Sequence, residues 1–112
     1  MPDQPAWKIE YLSEIARARA ARQKGNEGMA RVCARRAMGA FLGEYLTGHG
    51  IIQPGPSAYD RLQIFSSLPH LTPRQRESAA RFLLRVTPNH ALPCDVDLIA
   101  EAEWLVSELT KD

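Results

Sequence analysis

The stretch "LLRVTPNH", residues 83–90, sets Arg85 and His90 apart by four intervening residues. Histidine changes charge near neutral pH, so it can give or take a proton during cleavage of a phosphate ester. Arginine supplies a fixed, forked cation able to hold the charge that builds on the phosphate. Arg85 and His90 are therefore a candidate catalytic pair for acid–base chemistry at a phosphate. The spacing alone is weak evidence, because 3 histidines, with three gaps allowed, in a chain about one-tenth arginine give roughly one match by chance. In the bland alternative, Arg85 is a solvated cation suited to a helix C-terminus and His90 is a loop residue.

Other cations extend the possible chemistry. Arg74, Arg81 and Arg85 fall on one face of a fourth helix, and Arg31 and Arg35 on one face of a second. Such rows suit a phosphate backbone, and His49, Arg81 and Arg35 are the candidate ligand- or phosphate-binding residues. No aromatic residues are interleaved with them in sequence, as a single-strand binder would need. His90–x3–Cys94, with or without His49, lacks the paired close ligands of a structural zinc site, so no metal is expected. No cofactor is expected either, since "GIIQPGPS" has neither the lysine nor the strand-to-helix setting of a phosphate loop.

The elements that must position these residues read as helices throughout. Trp7, Tyr11, Leu12, Ile15 and Ala18 share a stripe, giving a helix over about 6–24 that breaks at "KGNEG". A second helix over about 28–47 stops at "TGHG", before the glycine- and proline-rich "HGIIQPGPS". Ser57 with Asp60 starts a third, about 57–68, in the manner of a capping box. Thr72, Pro73 and Gln75 start a fourth, about 73–86, which Pro88 ends near Val86. Asp95 is expected to cap a fifth, about 95–110, whose buried face is Leu98, Ile99, Ala102, Leu105, Val106 and Leu109. No window alternates in the manner of a strand. The expectation is all-α, an up-and-down bundle of five helices in a single domain over 1–112.

That topology puts the loops after the second and fourth helices at one end, so His49, Arg85, His90 and Cys94 are expected together. His70 is expected at the other end, about 30 Å away along the second helix. "AMGAFLGEYL" is apolar on more than one side, and Gly39 and Gly43 sit one turn apart. Interior glycines cost about 1 kcal/mol each relative to alanine, so a close packing partner is implied. Either another helix of the same chain or a homodimer interface at Gly39 and Gly43 would supply it.

With 112 residues and a net charge of +1, the chain has room for one modest core. No apolar run is long enough to cross a bilayer, and no signal peptide is visible in "MPDQPAWKIE". Two distant cysteines, Cys33 and Cys94, fit a reduced, cytoplasmic setting, with one disulfide left open. Charge is uneven. Residues 17–36 are strongly basic and the tail from Cys94 is acidic, which could draw an anionic partner or simply let neighbouring helices compensate.

Taken with its helices placed, the chain resembles the HEPN (higher eukaryotes and prokaryotes nucleotide-binding) domain family. The points of likeness are Trp7, the break at "KGNEG", the alanine-rich "ARVCARRAMGAFLGEYL", the loop "HGIIQPGPSAYDRLQIF" and "RFLLRVTPNHALPCDVDLIAEAEWLV". The resemblance implies a helical bundle that often dimerises. It also implies one of two roles: binding a nucleotide, RNA or a small nucleotidyltransferase partner, in some cases as toxin and antitoxin, or metal-independent endoribonuclease activity. Only Arg85 and His90 can carry the family's Arg–x4–6–His motif here, and Val86 and Pro88 depart from its usual spacer. The leading expectation is a binding protein, the alternative a toxin-like ribonuclease, and the third a structural interaction module without a ligand.

Overall fold

The computed structural model describes residues 4–84 and 96–111. Among them are five helices and no strand: α1 (Ala6–Gln23), α2 (Glu27–Gly48), α3 (Ala58–Ser66), α4 (Pro73–Phe82) and α5 (Leu98–Leu109). No helix among the described residues is long and apolar enough to cross a membrane. The all-α bundle expected from the hydrophobic spacing is what the chain forms.

Local chemistry fixes most boundaries. α1 and α2 end alike, each with a glycine at positive φ just past the cap, Gly25 at 77° and Gly50 at 73°. In both, the two N–H groups that follow fold back onto the last turn: Gly25 to Arg22 and Asn26 to Ala21, then Gly50 to Thr47 and Ile51 to Leu46. These paired bonds satisfy carbonyls that a helix end otherwise strands. Asn26 caps α2 by accepting from the Met29 N–H, and Ser57 caps α3 by accepting from the Asp60 N–H. At α4 the capping box is complete, Thr72 accepting from Gln75 and Gln75 accepting from the Thr72 N–H. Thr72→Ala should therefore lower stability by about 1 kcal/mol in chemical denaturation.

Two boundaries differ from the sequence reading. α5 is capped by Asp97, which accepts from the Ala100 N–H, and it starts at Leu98 rather than near Asp95. Asp97 is also held by Arg22 at 3.0 Å, so α1 pins the start of α5. Burial works to raise the Asp97 carboxyl, but the Ala100 N–H and Arg22 outweigh it and hold it below its usual value. α4 ends at Phe82, not near Val86, because Arg35 of α2 donates its Nε to the Phe82 carbonyl at 2.9 Å. Leu83 and Leu84 then close back on Ala80 and Arg81 in a tight final turn.

α2 is the centre of the bundle, packed against α1, α3 and α5, while α4 bridges α3 and α5. Its apolar residues on several sides, among them Ala34, Ala37, Met38, Phe41, Leu42 and Leu46, are buried accordingly. Phe65 of α3, Phe82 of α4 and Leu98 and Leu105 of α5 complete the core. Gly39 and Gly43 serve a contact inside the chain. A Cβ on Gly39 would stand 2.7 Å from the Ala58 Cβ, and one on Gly43 2.7 Å from the Arg61 guanidinium. Of the two explanations for these glycines, the chain's own α3 occupies the groove, and the dimer contact expected there has no room.

The same contacts set the direction of α3. Ala58 lies at Gly39, Arg61 at Gly43 and Phe65 at Tyr45, so α3 climbs beside α2 in the same sense rather than returning against it. The segment 49–57 carries the chain back about 15 Å, ten residues of helix rise, before α3 begins. An extended segment of that length reaches farther than this, so the return is unstrained.

Candidate functional site

The direction of α3 decides what meets at the end of α2. Phe41, Tyr45 and His49 are spaced by four and form one stripe of rings along α2. α3 ends beside that stripe, with Phe65 edge-on to Tyr45 at 5.6 Å between centroids. His70, a few residues further, comes to rest against both Tyr45 and His49. Its Nε2 lies 2.8 Å from the Tyr45 hydroxyl. The His49 and His70 imidazoles are nearly parallel, 8° apart, with centroids 5.7 Å from each other. The expected placement of His70 at the far end is thus overturned, because the 49–57 return adds a pass along α2 that an up-and-down chain would not make.

Both histidines are exposed and Tyr45 is half-buried. His49 caps α2 with its own ring. Its Nδ1 is 2.8 Å from the Tyr45 carbonyl, which can only accept, so Nδ1 carries the proton and neutral His49 keeps its lone pair on Nε2. The Tyr45 hydroxyl donates to the His70 Nε2 where that nitrogen is bare and accepts from it where it carries a proton, so the two stay hydrogen-bonded in either state. Burial raises the Tyr45 hydroxyl above its usual pKa and keeps it protonated. The cluster offers two exposed imidazoles, one imidazole lone pair and a polarised hydroxyl.

An open groove lies beside the same helix end, walled by Thr47, Gly50, Ile51, Gln53 and Arg61. Arg61 is held by two bonds, Nη1 to the Gly39 carbonyl at 2.9 Å and Nε to Gln53 at 3.0 Å. Its guanidinium is a positioned cation with Nη2 left over among the described residues.

Among the described residues singled out in the sequence, His49 is not brought together with Arg35 and Arg81. Arg81 bonds Glu77 at 2.8 Å and Glu101, so both ends of its fork are taken up by carboxylates. Arg35 is half-buried, and burial holds its guanidinium below the usual range. Its Nε belongs to the Phe82 carbonyl. Arg35 is 14 residues before His49 on α2, about 21 Å along the axis, so the end of α4 and the His49 end of α2 are apart. Arg85, His90 and Cys94 lie outside the described residues. Cys33 is a free, buried thiol that burial and Glu14 push above its usual pKa. No group of three or more metal-ligating side chains occurs among the described residues.

Tyr45, His70 and Arg61 are the members of this site that the sequence reading does not single out. Phe41–x3–Tyr45–x3–His49 is a visible ring stripe, whereas His70 and Arg61 depend on the direction of α3. The chain matches no protein-family model, no curated protein and no solved structure with which it was compared.

Proposed function

We propose that the chain is a HEPN-like binding protein that takes a nucleotide or single-stranded RNA at the Tyr45–His49–His70 face. The observation that carries this reading is the pair of exposed, near-parallel imidazoles, both hydrogen-bonded to Tyr45, His70 at its hydroxyl and His49 at its backbone carbonyl. Unpaired bases stack on aromatic and imidazole faces and bond through their edges, and the platform is the aromatic component that the sequence order lacked. Arg61, fixed beside the groove at the same helix end, is suited to a phosphate.

The reading is tested by fluorescence anisotropy with a labelled eight-residue oligouridylate, and with ATP as competitor, in EDTA. Stacking is worth about 1–3 kcal/mol per base, so His49→Ala with His70→Ala should weaken binding roughly tenfold or more. The fold should be unaffected, since both rings are exposed. No binding of either probe by the wild type would overturn the reading in favour of a structural module. The same reactions run on a denaturing gel address the ribonuclease alternative. Cleavage abolished by His90→Ala would replace the binding reading with catalysis by Arg85 and His90.

A further inference from the structure

Tyr45 and the glycines that admit α3 stand on opposite flanks of α2. Gly43 and Tyr45 are two residues apart, about 200° of helical turn, so the ring stripe and the Arg61 guanidinium have the helix between them. A helix with its side chains is about 10–12 Å across, and α2 itself closes the direct line. A ligand touching both must pass round the end of the helix. That end is open. Thr47, Gly48, His49 and Gly50 are all exposed, and a Cβ added at Gly48 or Gly50 would meet nothing within 4 Å. The carbonyls of Tyr45, Leu46 and Thr47 are taken up by the N–H groups of His49, Gly50 and Ile51, which damps the negative pole a passing phosphate would meet.

The far flank suits the backbone of a strand. Arg61 is part-buried and held by two neutral acceptors, the Gly39 carbonyl and the Gln53 side chain, with no carboxylate bonded to it among the described residues. Arg19, Arg22, Arg74 and Arg81 each have one. Ile52, in the wall of the same groove, is 92% exposed and offers an apolar surface to a second base or its sugar. We propose that the ligand is single-stranded RNA of at least about three nucleotides, wrapped over the end of α2 with one base at the imidazoles and a phosphate further along the strand on Arg61. A mononucleotide carries base and phosphate on one sugar and occupies either flank, not both. The inference rests on the binding reading and decides between its two ligands.

Anisotropy competition against labelled octauridylate in EDTA tests this on the wild type alone. The competitors are uridine monophosphate, uridine triphosphate, and the unlabelled di-, tetra- and octauridylates. Affinity should rise at least tenfold from di- to tetrauridylate, as one charge-assisted contact is gained, and change little beyond it. Arg61→Gln, its fold checked by circular dichroism, should remove the rise and lower the salt slope for tetrauridylate by about 0.7, the share of one phosphate on a single strand. Ile52→Ser, at a position too exposed to affect folding, should reduce the rise severalfold and leave uridine monophosphate unaffected. Arg17→Gln, which removes an exposed cation on α1, should do neither. A monophosphate or triphosphate that competes as well as tetrauridylate, or a rise that survives undiminished in either the Arg61 or the Ile52 variant, would overturn the proposal and leave the imidazole reading standing. Octauridylate that does not bind at all would overturn both.

Discussion

Replacing Glu101 by alanine should destabilise the protein by about 3 kcal/mol, the largest loss expected from a polar substitution here. Glu101 is buried on α5 and takes three partners from α4. Arg74 approaches it at 3.2 and 3.4 Å, the Ser78 hydroxyl donates at 2.8 Å, and Arg81 bonds the second oxygen. Ser78 is fully buried, so removing the acid leaves its hydroxyl without an acceptor, at about 1–3 kcal/mol. Arg74 and Arg81 are 43% and 34% exposed, and water can take up part of what they lose. Arg74 also lies 4.2 Å over the Trp104 ring, which keeps it in place. Truncating Arg81 instead should cost clearly less, because Glu101 retains Arg74 and Ser78.

The same cluster gives a pH signature. Burial acts to raise the Glu101 carboxyl, but Arg74, Ser78 and Arg81 together hold it below its ordinary value of 4.5. A depressed folded-state pKa adds stability that is fully present above the ordinary value and is lost as pH falls through the lowered one. Denaturation followed from pH 7 downward should show wild type losing stability across that acid window. Glu101→Gln should begin lower and fall less steeply.

Gly39→Ala should cost about 2 kcal/mol, whereas Gly43→Ala should remain close to wild type. Both substitutions gain about 1 kcal/mol of helix propensity. At Gly39 the new methyl would meet the Cβ and Cα of Ala58, at 2.7 and 3.0 Å, so α3 itself must move away from α2. Overpacking of that kind typically costs 1–3 kcal/mol and here must also offset the propensity gain. At Gly43 the methyl meets only the end of the Arg61 side chain, which can swing aside. Urea denaturation of the two variants separates these cases. Equal effects at both positions would contradict the account of how α3 sits. A displaced α3 should also disturb the site, because His70 follows it.

The helices were legible because their signals are local. The capping box at Thr72–Gln75 and the glycines after α1 and α2 act within one turn, and they appear where their spacing places them. Asp97 rather than Asp95 caps α5 because a cap on another helix's arginine is decided in three dimensions. Glu101 stands in register with Leu98 and Leu105 on the buried face, so its position was readable, yet its partners on α4 were not. The site was least legible. Nothing in "HGIIQPGPS" says that the chain doubles back along α2, and without that return His70 belongs to the wrong end. Gly39 carried the missing information in another form, since a glycine inside a helix marks a close approach without naming what approaches.

The central claim is that an exposed pair of imidazoles at the end of α2 contacts the ligand. Its most direct test follows the imidazole C–H resonances of His49 and His70 by NMR while oligouridylate is added. Both sets should shift together and saturate at the same RNA concentration, ahead of resonances from α4 and α5. Saturable RNA binding with both sets unmoved would contradict it, as would the absence of any shift up to millimolar RNA.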